Sequence, residues 1–406
     1  MPHRRIVKPC SIPVLLCLAG YLFAIAYGVT FLLPSMVMAR GADEMLAGYV
    51  ISAAAISSVI AVILSGHFSD WLGTSRAVIL SGAVLTIACI GFAFDQGTSW
   101  SIICIGLVLG LGWGTFYTLG PLLMATIVPS EQRTRGFGML AGAMMAGIGT
   151  GPILGRAASA ANLPIESTFL ASGIASLFGM AMFAFLKGRI ARNGIEEIQG
   201  ARLSWNAVHR LAKSLACYPI IMVGISGAIF GGLSSFQTSY ASIRGLDFSI
   251  YFIGFMPAAI VTRLFFVGYA AHWSPSLSNL LLTGLITGCI GLFLANTGNT
   301  ALYFSASAMF GGGYGLFYSL INAQAVNLAP SGLVPQALLL FSLSYFLGAF
   351  GFPVIAARII VTSGIDSLLV LLGVLGAINC SVALTYHMIT RTIPSSKAAS
   401  DRRRRL

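Results

Sequence analysis

Apolar runs of about 20 residues, the length a helix needs to cross a bilayer core, recur along almost the whole chain. Read against charged or Pro- and Gly-rich breaks, they predict twelve spanning helices. These lie near 11–35, 46–65, 77–95, 99–123, 136–158, 167–187, 216–240, 249–270, 277–296, 300–325, 335–360 and 366–390. Charged residues make up 8% of the 406, where soluble chains carry about 25%, and so few cannot cover a soluble surface. The expected fold class is therefore an all-α polytopic membrane protein. A transmembrane β-barrel is excluded because the runs are about twice the strand length needed and lack a period of two. The formal net charge is +12, yet the basic residues flank the apolar runs instead of forming a face, which excludes nucleic acid as a partner.

Those basic residues set an orientation. Of the 23 Lys and Arg, 18 fall at the termini or in the even-numbered connections, and positive residues are retained on the cytoplasmic side. Both termini should face the cytoplasm, in the inner membrane of a bacterial cell. Arg4, Arg5 and Lys8 before the run Ser11 to Pro34 imitate a signal peptide, but the run is too long for one and reads as the first span. The longest hydrophilic stretch, Lys187 to Lys213, carries six basic and two acidic residues and reads either as a linker with a surface helix or as a plain loop. The expected division is 1–187, a six-helix bundle; 188–214, a cytoplasmic linker; 215–390, a second six-helix bundle; and 391–406, a basic tail held near anionic lipid. Seven cysteines (Cys10, Cys17, Cys89, Cys104, Cys217, Cys289, Cys380) are scattered singly, without a CxxC or paired His, and read as packing residues. Neither a metal nor a cofactor is expected.

The two halves repeat each other. Gly112-Trp113-Gly114-Thr115-Phe116-Tyr117-Thr118-Leu119 recurs as Gly313-Tyr314-Gly315-Leu316-Phe317-Tyr318-Ser319-Leu320, 201 residues on. The same offset carries Pro129 to Pro330, Gly147 to Gly348 and Pro152 to Pro353. It drifts to 202 between Gly66 and Gly268, and to 204 between Arg40 and Arg244. With six spans in each copy, the copies share orientation, and the bundles should be related by an axis along the membrane normal.

With these motifs the sequence resembles the major facilitator superfamily. The loop expected after the second span, with Gly66, Asp70, Gly73 and Arg76, is similar to the superfamily's signature loop, with both glycines and the acid in place and the basic residues reduced to Arg76. In span five, Gly138, Gly147, Gly151, Pro152 and Gly155 resemble the glycine-proline string of the antiporter branch of drug and metabolite exporters; the family's final Gly is Arg156 here. Gly147, Gly151 and Gly155 share one helix face and permit close backbone approach, while Pro152 removes a hydrogen bond and can mark a bend. Asp70 is expected to accept N–H groups at a helix start and latch the cytoplasmic side.

The resemblance implies alternating access around a midplane site lined by spans one, four, seven and ten. Candidates there are Tyr21, Tyr27, Tyr117, Gln237, Tyr240, Tyr314, Tyr318, Asn322 and Gln324, joined by Tyr345 from span eleven. As a set they suit an amphiphilic organic molecule better than an inorganic ion. Arg263, the only charge well inside a span of the second half, either lines this cavity or snorkels to the cytoplasmic interface. Proton antiport comes from the resemblance alone, because the acids fall at span edges or in connections; Asp43 and Glu44, at the mouth of span two, are the nearest proton carriers, since burial there would raise a carboxyl pKa. The expected function is export of a small organic molecule by a monomeric secondary transporter. Uptake of an organic anion or nutrient, and a non-transporting receptor or assembly factor on the same scaffold, remain the alternatives. Enzyme chemistry is not expected, since no nucleophile motif, His/Asp cluster or phosphate-binding loop occurs.

Overall fold

The computed structural model describes residues 11–41, 44–95, 99–196 and 202–392. Its twelve long helices are α1 (Ile12–Val37), α2 (Glu44–Leu72), α3 (Thr74–Phe94), α4 (Ser99–Ile127), α5 (Arg133–Ala160) and α6 (Glu166–Arg192), then α7 (Cys217–Ser235), α8 (Ser249–Ala270), α9 (Pro275–Ala295), α10 (Thr300–Asn327), α11 (Val334–Ser363) and α12 (Ile365–Thr392). In hydrocarbon every backbone N–H and C=O must find a partner inside the protein, and a helix supplies them all within one segment. Among the described residues, eleven of these helices are long and apolar enough to span a bilayer. The other, α10, is 28 residues long but dilutes its apolar residues with Gly311, Gly312, Gly313, Asn322 and Gln324. Large apolar side chains such as Ile87, Phe178, Phe265 and Val354 lie on the outside, where lipid is the solvent.

Packing repeats with the sequence. In the first half α2 packs on α4, α1 on α5 and α6, and α3 on α4 and α6. Adding six to each number gives the neighbours of the second half: α8 on α10, α7 on α11 and α12, and α9 on α10 and α12. The chain thus forms two six-helix bundles. They meet through α5 against α8 and α10, and through α11 against α2 and α4, again a symmetric set.

Several boundaries differ from the sequence expectation. The loop placed at Gly66 to Arg76 is helical: α2 continues to Leu72 and α3 starts at Thr74, with Gly73 alone at φ 85° making the turn. Two hydroxyls of that stretch bond each other across the turn, Ser69 of α2 and Thr74 of α3 at 2.8 Å, and at its edge Ser65 donates to the Ala61 carbonyl at 2.6 Å. α7 ends at Ser235, and a short helix Gln237–Ile243 continues it after a break at Phe236. Both α8 and α11 contain a π-turn, at Thr262–Phe266 and Leu347–Gly351. The linker carries a helix, Trp205–Ala212, capped by the Ser204 hydroxyl and packed through Ala207 and Leu211 on Leu333 and Ala337. Asp43, the basic tail beyond Thr392 and the first ten residues lie outside the described residues, and Glu44 is the first residue of α2.

Candidate transport site

Each residue of the duplicated Gly-aromatic string has a separate task. On α4, Gly114 lies against the Ser58 carbonyl of α2, where an added Cβ would sit 2.5 Å from oxygen; on α10, Gly315 meets the Ala259 carbonyl of α8 in the same way, at 2.9 Å. Gly112 and Gly313 face the other neighbours, Leu85 of α3 and Leu285 of α9. With the glycines turned into the bundles, the tyrosine at the end of each string is turned out of them. Tyr117 and Tyr318, 201 residues apart, hydrogen-bond hydroxyl to hydroxyl between the bundles, on the axis that relates them.

An aromatic floor spreads from this pair. Tyr117 stacks on Tyr345 with centroids 5.4 Å apart and meets Phe346 edge-on, while Trp113 carries the surface to Tyr27, stacked at 4.5 Å. On the other side Tyr318 leads to Tyr314, which stacks on Phe230 at 5.1 Å. Against these two tyrosines lies Arg263, 6% exposed. Its guanidinium sits 5.1 Å from the Tyr318 ring centroid and 5.9 Å from that of Tyr314. Such contacts contribute about 0.5–2 kcal/mol each, and more when desolvated. Its hydrogen bonds are long for a charged group: Nε to the Gly315 carbonyl at 3.4 Å, and Nη1 across the bundle interface to the Ala141 carbonyl at 3.5 Å and the Met145 sulfur at 3.6 Å. Among the described residues no carboxylate pairs with it. Arg263 therefore faces the bundle interface and does not snorkel.

The glycine-proline string of α5 divides between two partners. Gly147, Gly151 and Gly155 face α1, against the Tyr21 carbonyl, Gly28 and Leu32, whereas Gly138 faces Val267 of α8, together with Gly142, which packs on Leu264 and Arg263. Pro152 cannot donate to the carbonyl of Ile148, and that freed carbonyl is the one seated on Gly28, 2.3 Å from where a Cβ would be. The second half repeats the arrangement. Pro353 frees the Ala349 carbonyl, which lies 2.3 Å from a Cβ on Gly231, and Gly348 lies on the Gly224 carbonyl as Gly147 lies on that of Tyr21.

Other predicted residues go elsewhere. Tyr21 bonds Thr150 at 3.0 Å between α1 and α5, beside the floor. Gln237 and Tyr240 enter the C-terminal bundle, Gln237 accepting from Tyr303 at 2.7 Å and Tyr240 donating to the Phe293 carbonyl at 2.7 Å. Gln324 pairs with Asn279 of α9, at 2.7 and 3.0 Å, and Asn322 is buried with its carbonyl oxygen unbonded. These four do not join the aromatic floor. Gly66 is buried in α2, Arg76 is exposed at the start of α3, and Asp70 sits in the last turn of α2. There it accepts the Arg202 backbone N–H at 3.3 Å and pairs with that guanidinium at 3.4 Å, tying α2 to the linker.

Among the described residues, hydrogen bonds between the bundles all lie from the midpoint of the helices toward the linker end: Tyr117 to Tyr318, Arg263 to Ala141 and Met145, and Arg133 to Asn327 at 3.0 Å. At the opposite end the polar ties stay within a bundle. Arg40 donates to the Phe92 carbonyl and pairs with Glu166 in the first, and Arg244 donates to the Asn296 carbonyl and pairs with Asp366 in the second. Among the described residues, the polar ties between the bundles are thus confined to the half of the molecule nearer the linker.

The sequence profile described as Major Facilitator Superfamily matches residues 14–353. The chain belongs to that superfamily. Among curated members it is 28% identical over 86 residues to a D-xylose transporter of Levilactobacillus brevis, covering 21% of this chain and 19% of that one. It is 24% identical over 260 residues to multidrug resistance protein 2 of Bacillus subtilis (strain 168), covering 61% and 62%. The matched part is thus under two thirds of either relative. Among solved structures it superposes on the human organic anion transporter MFSD10 with a TM-score of 0.76, at 12% identity and covering 93% and 100% of the two chains, a likeness of fold. Membership makes the chain an integral-membrane protein of a superfamily of transporters. Sequence reasoning missed Trp113, Phe230, Met145 and Phe346 of this superfamily member's floor, and Gly28 and Gly142 of its packing faces. Trp113 was legible as a member of the duplicated string, and Gly28 as the counterpart of Gly231 at an offset of 203.

Proposed function

We propose that the protein exports a small amphiphilic organic molecule across a bacterial inner membrane by alternating access, with both termini cytoplasmic. One observation carries this reading: among the described residues, the bundles are hydrogen-bonded to each other from the aromatic floor to the linker end and not beyond it, the pattern expected of a floor reached from the opposite side. With the linker and its basic residues in the cytoplasm, this is the outward-facing state. The name of the Bacillus subtilis relative, a multidrug resistance protein, supports the outward direction. The half-buried rings of Tyr27, Tyr117 and Tyr345, backed by the buried Trp113 and Tyr314, combine flat apolar faces with hydroxyls, which suits an amphiphilic substrate. Asp70 and Arg202 hold the linker end in this state.

Proton antiport enters only through family resemblance. Every described Asp and Glu stands at a helix end or in a connection, and none approaches the floor. Reconstituted protein, or everted vesicles from cells expressing it, should show substrate-dependent efflux across a panel of drugs and metabolites. Absence of any flux would remove the carrier reading and favour a receptor role. Uptake is the second reading, prompted by the buried Arg263, and accumulation in intact cells decides the direction.

A further inference from the structure

Arg263 is where the two halves stop being alike. At the offset of 201 that relates Ala54 to Phe255 and Ser58 to Ala259, its counterpart is Val62; at the offset of 202 that relates Gly66 to Gly268, it is Ala61. Both are apolar and fully buried. The offset grows by one residue between these points, and the π-turn Thr262–Phe266 lies between them. A π-turn accommodates one extra residue in a helix, and such turns collect at functional sites. The insertion thus delivers a single cation to the floor on one side of the axis. Beside it the Tyr314 hydroxyl is buried with no partner at hydrogen-bonding distance and angle. A guanidinium without a carboxylate and a hydroxyl with only the poorly placed Tyr345 hydroxyl near it converge on one place, where the acceptors supplied to the cation among the described residues are the distant carbonyls of Gly315 and Ala141 and a thioether.

We infer that Arg263 and Tyr314 receive the anionic group of the substrate, an organic anion with an aromatic or apolar body, and that the carrier works by exchange of such anions. The inference rests on the carrier reading. Its physical basis is the cost of an unpaired charge. Arg263 is already only 6% exposed, and when the open end closes over the floor it loses what access to solvent it keeps, leaving a desolvated cation without a counter-ion, which is strongly disfavoured. A bound anion neutralises it and accepts the Tyr314 proton in a hydrogen bond, so the loaded carrier passes through the occluded state and the empty one is held back. No protonatable carboxylate is required for this cycle.

The test uses the full-length protein in liposomes, with radiolabelled aromatic carboxylates, sulfonates and phosphate monoesters and their neutral amide or ester counterparts. At least one anion should enter vesicles preloaded with the same unlabelled anion about tenfold faster than empty vesicles, the size expected for a modest bias between loaded and empty states. Arg263→Gln should abolish that exchange, Arg263→Lys should retain part of it, and Tyr314→Phe, which keeps the ring, should raise the KM for the anion several-fold. Equal rates into loaded and empty vesicles would overturn exchange. Flux of neutral compounds with none of anions would overturn the anion site while sparing the carrier reading, and no flux of any compound would sink both. Should Arg263→Gln fail to fold by thermal melting in detergent, Tyr314→Phe decides alone, an unchanged KM counting against the site.

Discussion

Gly28 shows how one missing side chain organises a bundle. The Ile148 carbonyl that Pro152 leaves without its helical donor needs a close neighbour, and a backbone without a Cβ supplies one. Gly28→Ala puts a carbon where an oxygen already stands, so it should destabilise the protein by about 1–3 kcal/mol, as overpacking does. Gly149→Ala on the same helix pair meets no heavy atom within 4 Å and should stay within about 0.5 kcal/mol. Thermal denaturation of the purified protein in detergent distinguishes the two, and equal losses would contradict the packing argument. Such faces were readable in the spacing of Gly147, Gly151 and Gly155; that Gly138 and Gly142 face the other bundle was not, because helical periodicity does not name the neighbour.

At the scale of elements, the paired arginine ties fix how helices sit within each bundle. Arg244 closes the end of α9 through the Asn296 carbonyl at 2.6 Å and lies 4.3 Å above the Tyr240 ring. Its partner Asp366 is 67% exposed, so water screens that pair and the carbonyl bond and ring contact dominate. Arg244→Gln should therefore cost about 1.5–3 kcal/mol, the range for a hydrogen bond from a charged group, with little dependence on salt. A loss that vanished at high ionic strength would assign the effect to Asp366 instead. The linker tie differs. Arg202 is 60% exposed, so Asp70→Asn should remove less than about 1 kcal/mol and shift the balance between the two access states by no more than about fivefold. Distance measurements between spin labels on opposite bundles would read that shift, and a larger one would mean that Asp70 bears on more than the linker.

For the whole molecule, the axis through Tyr117 and Tyr318 makes the floor a hinge as well as a surface. Bundles that rock about it must separate at the linker end, where Arg133 and Asn327 are bonded at 3.0 Å. Cysteines at these two positions, joined by a short bifunctional maleimide, should hold the carrier in the state described here and stop transport, with no loss when each cysteine is introduced alone. Continued flux in fully cross-linked protein would show that this end does not open. The alternating-access reading would then fail, whatever the substrate.

Sequence alone determined the membrane class, the count of helices and their duplication, because hydrocarbon imposes one helix length and a repeat preserves its spacing. It also singled out Tyr117, Tyr314, Tyr318, Tyr345 and Arg263. Only the tertiary structure decided which of the candidate polar residues meet. Gln237, Tyr240 and Gln324 are as polar as the residues of the floor, yet helix rotation turns them toward partners inside one bundle, and rotation is set by the neighbours a helix packs against. The loop assumed between α2 and α3 became helix for a similar reason, since its hydroxyls found acceptors within the fold. Arg263 could have reached the interface by snorkelling on length alone; its place in the π-turn and the facing carbonyls of α5 and α10 turned it inward, to the bundle interface.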